Sequence, residues 1–434
     1  MMRKLLNSGP IVSLTLLVTP SISSAQDLNG ANTGWILTST ALVLFMTLPG
    51  LSLFYGGLVR TKNVLSVLMQ CFAITVSISI LWLVVGYSIA FGPSDSAYWG
   101  GLSRMFFSGI DINSMSGDIP ETVFAAFQMT FAIITPALIV GAFVERIKFS
   151  SMLIFSILWT LVVYFPVANW VWGGGWLGSM GLIDFAGGTV VHVTAGVGAL
   201  VTALFIGQRG EFGQSSTLPH NLTMSFTGAA MLWVGWFGFN AGSALAADGA
   251  AGMALFVTHI SASTGALTWM VIEWIKLGKP SGLGAITGMV AGLATITPAS
   301  GSVGPAGGLL VGLAGGIVCY YATTYLKQNL TIDDSLDVFP VHGVGGIVGT
   351  FLAGVLVSNN LGVFSGNGLA NGMTIGSQVG VQVTGILATG IYTAIVTFVL
   401  LKIVGALTSG IRITEEQEQV GCDITDHDEK GYSM

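Results

Sequence analysis

Charge is what this chain has least of. Only 8% of its 434 residues are Asp, Glu, Lys or Arg, against 52% hydrophobic, too few ionic groups to keep a soluble domain of this size hydrated. An aqueous fold is excluded, and a polytopic membrane protein is expected. Cysteine is equally scarce. Cys71, Cys319 and Cys422 lie far apart and two fall in apolar segments, which excludes a disulfide framework or a cysteine metal site and reads as packing. No basic patch marks a nucleic-acid partner, and no GxxxxGK[ST] occurs, so any transport draws on gradients. Neither a voltage-sensor arginine ladder nor a chain of intramembrane carboxylates is present, so no bare ion is expected to cross the centre. The net charge of -6 comes mostly from the C-terminal tail.

Apolar length is what the chain has in abundance. Arg3 and Lys4, an apolar core from Ile11 to Val18 and the small residues Ser23, Ser24 and Ala25 read as a cleaved signal peptide over 1–25. Eleven stretches of spanning length follow, approximately 35–59, 64–91, 121–144, 149–169, 186–207, 220–242, 251–275, 282–299, 305–326, 340–358 and 376–404. The basic residues test that count. Arg60, Lys62, Arg146, Lys148, Arg209, Lys276, Lys279, Lys327, Lys402, Arg412 and Lys430 fall in alternate connections or toward the tail, and Arg104 alone falls in the others. By the positive-inside rule the N-terminus is outside and the C-terminus inside. The 61 glycines, in runs such as Gly308–Gly316 and Gly343–Gly349, let helix backbones approach closely.

Two histidines stand out against this background. His192 follows Asp184 at the start of the fifth span, and His342 follows Asp337 at the start of the tenth. Halves of five spans each (about 35–207 and 220–358) must insert in opposite senses, which is an inverted repeat with a site near the midplane. The eleventh span, about 376–404, then stands outside both halves. The residues alone leave several readings of the histidine pair: bonds to nearby backbone carbonyls, a bis-histidine metal or haem site that lacks a second ligand set, or a polar pair lining a pathway. Asp184 reads either as a helix cap or as a charge that steadies a cation.

Several stretches carry a family resemblance. FYGGLVRTKNVLS (Phe54–Ser66), FQMTFAIITPALIVGAFVERIKFS (Phe127–Ser150), VWGGGWL (Val171–Leu177), DFAGGTVVH (Asp184–His192), PHNLTMSFTGAAMLWVGWFGFNAGSA (Pro219–Ala244) and DDSLDVFPVHGVGGIVG (Asp333–Gly349) resemble the ammonium transporter family (Amt/Mep/Rh), and its bacterial Amt branch in particular. The resemblance implies an all-α polytopic fold with a membrane domain over 26–410 and a cytoplasmic tail over 411–434. It implies an outer vestibule for ammonium made by Phe131, Trp172 and Ser243, a gate of Phe131 over Phe239, and a pore lined by His192 and His342, with Asp184 in support. Aromatic faces attract a small cation and a hydroxyl accepts its N–H, so the residue types suit the substrate. The implied protein is a transporter or channel and not an enzyme, with no cofactor and no metal. Its partners are membrane lipid, identical subunits in a trimer and a PII-type regulatory protein at the tail, in a bacterial inner membrane. The alternative reading is an ammonium sensor that signals to such a PII-type protein. His220 and His259 match no motif, and packing or capping is their default.

Overall fold

The computed structural model describes residues 27–213 and 218–432; the expected signal peptide lies outside them. The described residues form ten helices long and apolar enough to cross a membrane: α1 Gly30–Leu58, α2 Thr61–Phe91, α3 Glu121–Phe143, α4 Phe149–Ser179, α5 Gly188–Ile206, α6 Leu222–Gly242, α7 Gly249–Leu277, α9 Pro305–Gln328, α10 Phe339–Leu356 and α11 Ile375–Leu407. Between the seventh and ninth lies a shorter apolar helix, α8 Gly282–Ile296. The eleven expected segments are therefore all helices. Two short helices, α12 Glu415–Val420 and α13 Cys422–His427, end the described chain, and a two-residue hairpin pairs Met115 with Pro120 and Ser116 with Ile119.

α8 departs from the expected 282–299. Its 15 residues rise only about 22 Å, short of a ~30 Å hydrocarbon layer. Beyond Ile296 the buried Thr297, Ser300 and Val303 continue as turns, so this backbone breaks inside protein, where its polar groups find partners.

Much of α11 inverts the pattern of a soluble protein. Along α11 the buried positions include Gln378, Gln382, Gly385, Thr389, Thr393 and Thr397, three or four residues apart, whereas Leu387, Ile391, Ile395 and Leu407 are exposed. Polar side chains point at other helices and apolar ones outward, as a lipid solvent requires.

α5 and α10 are the centre of the arrangement. Each begins with a π-helical turn, Gly188–Val193 and Phe339–Gly343, and each turn carries a histidine. Glycine makes their close crossing feasible. A Cβ on Gly196 would meet the Gly343 backbone at 2.2 Å, and one on Gly346 would meet Gly188 O and His192 Cβ at 2.8 Å. Since Gly196 and Gly346 both lie four residues after their histidine, the two contacts are mirror equivalents, consistent with an inverted repeat.

At the end bearing most of the basic residues, a buried ionic network ties the loops together. Arg60 and Arg209 both reach Glu145 at 3.1 Å, and Arg209 also pairs with Asp333 at 2.9 Å. Arg146, fully buried, donates to Ser335 at 2.7 Å and to Gly207 O at 2.8 Å. Burial raises the carboxyls of Glu145 and Asp333, but the guanidiniums of Arg209 with Arg60, and of Arg146 with Arg209, outweigh it and hold both below their ordinary values.

The tail docks on this network. Asp423 accepts the N–H groups of Leu65 (3.1 Å) and Ser66 (2.8 Å) near the start of α2, Cys422 N–H donates to Asn63, and Glu418 pairs with Arg412 at 2.9 Å. His220 bridges Val59 O (2.7 Å) and the Tyr432 hydroxyl (3.1 Å), so its role is packing between body and tail. His259 is exposed on α7 beside Trp233 and Phe237.

Candidate functional site: two histidines beneath an aromatic cluster

The site is assembled from α3, α4, α5, α6 and α10. Asp184 closes the loop before α5. Its carboxylate accepts the backbone N–H groups of Gly187 (3.0 Å), Gly188, Thr189 (2.9 Å) and Val190 (3.1 Å), and the Thr189 hydroxyl. Those are the unpaired donors of a helix start, so the geometry is that of a cap. The cap holds the turn that presents His192.

Asp337 does not play this part in the second half. It pairs instead with Lys327, Oδ1 lying 2.7 Å from Nζ. The mirror of Asp184 is Asp334, which accepts the Phe339 N–H at 2.6 Å and lies eight residues before His342, as Asp184 lies eight before His192. Burial, and then the charge of Asp337, push the Asp334 carboxyl up to about 7.

The two capped turns bring the histidines together. The Nδ1 atoms of His192 and His342 are 3.2 Å apart, and the rings lie within 20° of parallel with centroids 5.2 Å apart. Only one Nδ1 can carry the shared proton, because two N–H groups would otherwise face each other. The ring that donates keeps a bare Nε2 as an acceptor; the ring that accepts must carry its proton on Nε2. With both rings neutral, the pair therefore presents one donor and one acceptor nitrogen beyond itself. His192 Nε2 is buried and has no protein partner.

Above the pair the aromatic residues interlock. Phe131 and Phe239 touch with centroids 4.3 Å apart, Phe239 lies 6.1 Å from His192, and Trp172 meets Phe131 edge-on at 5.9 Å. Trp172 is fixed by its indole N–H, which donates to Asp184 O at 2.8 Å. Ser243 lies one helical turn beyond Phe239; its hydroxyl donates to Phe239 O at 2.8 Å, which leaves the oxygen free to accept. The fold thus joins Phe131, Trp172, Phe239, His192 and His342 in one continuous series of ring contacts and puts Ser243 at the C-cap of the helix that carries Phe239.

Trp236 is the residue that sequence reasoning missed. Its ring stacks on His192 at 5.6 Å and 20°, and its N–H donates to Thr297 at 2.9 Å. The signal was available, since Trp236 lies three residues before Phe239 and so shares its helix face.

Two cavities meet at His342. A narrow enclosed one of ≈ 320 Å³ empty space is lined by His192, Trp236, Phe239, Leu138 and Val191, while a wider one of ≈ 610 Å³ is lined by Tyr55, Lys327, Ser335 and Asp337. His342, Phe54 and Val290 border both. Phe239, the histidine pair and the wider cavity on the basic side therefore lie in series.

A family model described as the Ammonium Transporter Family matches residues 34–432. The chain belongs to that family. An ammonium transporter of Bacillus subtilis (strain 168) is 45% identical over 396 residues, 90% of this chain and 96% of the relative. The crystal structure of Saccharomyces cerevisiae Mep2 superposes with a TM-score of 0.82 at 36% identity, covering 90% of each chain. A solved structure described as a sensor Amt protein gives a TM-score of 0.85 at 26% identity, covering 92% of this chain and 98% of its own. The fold is accordingly that of a multi-pass membrane protein of the ammonium transporter family, as the sequence motifs imply.

Proposed function

We propose that this chain takes up ammonium nitrogen by binding ammonium at an outer aromatic vestibule, removing its proton, and conducting ammonia past His192 and His342. The observation that carries the reading is the series of contacts in which the Phe131–Phe239 gate sits directly against a histidine pair in an otherwise apolar lumen. The Phe131 and Trp172 rings and the Ser243 oxygen suit a small cation that donates N–H bonds.

A bare cation in the lumen would lose its hydration and gain two neutral rings in return, a cost of many kcal/mol. Ammonia carries no such cost. It both donates and accepts, and it finds one acceptor and one donor nitrogen on the pair. Potassium has no proton to give up and meets no ring of carbonyls, so it is rejected. The gate opens by rotation of the two phenylalanine side chains, which admits a small molecule and stops hydrated ions. The proton released at the gate either stays outside, making transport electroneutral, or crosses separately along the imidazoles, making it electrogenic.

In the same reading the basic end is cytoplasmic, the membrane is the bacterial inner membrane, the chain assembles as a trimer with one pore in each subunit, and the docked tail receives a PII-type regulator. The likeness to a sensor Amt protein, together with a tail held against the loops at the pore's basic end, supports a second reading in which the same fold reports ammonium to that partner. Proteoliposomes carrying an internal pH dye separate the two. If the proton stays outside, rapid mixing with ammonium should alkalinise the lumen faster than in protein-free vesicles; if it crosses, the same vesicles on a solid-supported membrane should give an ammonium-evoked current. Neither signal above protein-free vesicles would refute transport and leave the sensor.

A further inference from the structure

α11 lies outside both five-helix halves and contributes no side chain to the gate or the histidine pair, yet it buries an amide at the place where those halves meet. Gln382 is fully buried. Its Nε2 donates to Ile183 O at 2.7 Å and to Thr350 O, on α10, at 3.0 Å. Its Oε1 accepts Ile183 N–H at 2.8 Å and Gln378 Nε2 at 3.1 Å, and Gln378 Nε2 also donates to Gly181 O at 2.9 Å. Every hydrogen-bonding position of the Gln382 amide is used, two of them on the one peptide residue before Asp184.

The surroundings are cut to fit this contact. A Cβ on Gly354 would stand 2.7 Å from Gln382 Cγ, so the glycine provides the slot through which the side chain passes. A Cβ on Gly385 would stand 2.6 Å from Leu182 Cδ1, so one turn along α11 a second glycine seats the residue before Ile183. Ile183 is joined to Asp184, whose carbonyl holds the Trp172 indole and whose carboxylate holds the turn bearing His192. On its other sides the loop is held by Leu182 N–H on Leu177 O and by Phe185 N–H on Pro298 O, both at 3.1 Å.

We infer that Gln382 is a positioning residue for substrate binding: its amide fixes the loop at 181–184 against α10, and thereby sets the pose of the Trp172 ring in the outer vestibule. The inference rests on the reading of that vestibule as the ammonium site. Gln382 touches neither substrate nor lumen. Its effect passes through Ile183 and the Asp184 carbonyl to the tryptophan.

The test measures ammonium-evoked flux against concentration in proteoliposomes, for wild type, Gln382→Leu, Trp172→Leu and the double variant, each confirmed monodisperse after purification. With its amide gone, Gln382→Leu should raise the half-saturating ammonium concentration about fivefold to tenfold, the scale of one weakened cation–aromatic contact, and leave the maximal rate within about twofold. In the Trp172→Leu background the same change should add little, because the ring it positions is gone. An unchanged half-saturation in Gln382→Leu, or a shift of equal size with and without Trp172, would overturn the inference and assign Gln382 to packing alone. An unchanged half-saturation in Trp172→Leu itself would overturn the vestibule reading instead. Should Gln382→Leu fail to accumulate, Gln382→Met carries the test, since it keeps the unbranched chain in the Gly354 slot and removes every amide bond, and the same outcomes decide it.

Discussion

Replacing Asp184 separates a cap from a charge. In Asp184→Asn one oxygen survives. Placed on the Thr189 side, it still accepts from Thr189 and Val190, but the new amide nitrogen then faces the Gly187 and Gly188 N–H groups, two donors against a donor. Each buried N–H left without an acceptor costs about 1–3 kcal/mol, so the variant should lose about 2–6 kcal/mol. Asp184→Ala strands all four N–H groups and should lose about twice as much, enough to prevent accumulation of a marginally stable fold. At roughly 1–2 °C per kcal/mol, an extension of the size scaling to a chain this long, the Asn protein should melt about 2–12 °C below wild type. Thermal unfolding of purified protein in detergent, at one scan rate, reads the shift. An Ala protein that accumulates and melts with wild type would refute the cap, and if it also lost transport, the carboxylate would act as a charge at the vestibule.

Other consequences concern the end of the molecule that carries the tail. Glu145 and Asp333 are held below their ordinary carboxyl values in the folded protein, so their contribution to stability is complete above the unfolded carboxyl range near pH 4 and is lost as pH falls through the lower folded values. The network's contribution should therefore begin to fall only below about pH 4, whereas Asp334, its carboxyl pushed up to about 7, adds stability as pH drops from 7 toward about 4; a melting temperature that does not fall between about pH 4 and 3 would show that the network contributes nothing differential. Asp423 accepts two N–H groups of α2, and Asp423→Ala should cost the tail's docking about 1–2 kcal/mol. Limited proteolysis should then cut the tail faster while leaving the melting of the membrane body unchanged, and an unaltered cleavage rate would contradict that role.

Much of this architecture is legible in the sequence because membrane insertion is a strong constraint. A missed span would have scrambled the alternation of basic residues, and the eleven helices fall where the apolar stretches do. The Phe131, Trp172 and Phe239 contacts also follow the motif that suggested them. What failed to show is geometry that hydropathy does not encode. Asp337 looked equivalent to Asp184 because it is close to His342, but a cap is defined by distance along the turn it closes, and the eight-residue spacing pointed to Asp334. A π-helical turn has no residue signature, so the pose of each histidine could not be read. Nor does a buried glutamine in a spanning helix reveal its partner: Gln382 and Ile183 are 199 residues apart. The acidic tail, compatible by composition with a solvated end, docks because Glu418 and Asp423 find particular donors.

The central claim is that ammonia, freed of its proton, passes a neutral histidine pair that refuses bare cations. Its most direct test applies ammonium and then potassium pulses to proteoliposomes on a solid-supported membrane, for wild type and for the His192→Ala, His342→Ala double variant, with an internal pH dye monitored in parallel. The account predicts, in wild type, either ammonium-dependent alkalinisation without charge movement or an ammonium-evoked current, and in both cases no potassium current, and a lumen that loses this selectivity or stops conducting in the variant. A potassium current in wild type, or a double variant with unchanged ammonium flux and unchanged selectivity, would contradict it.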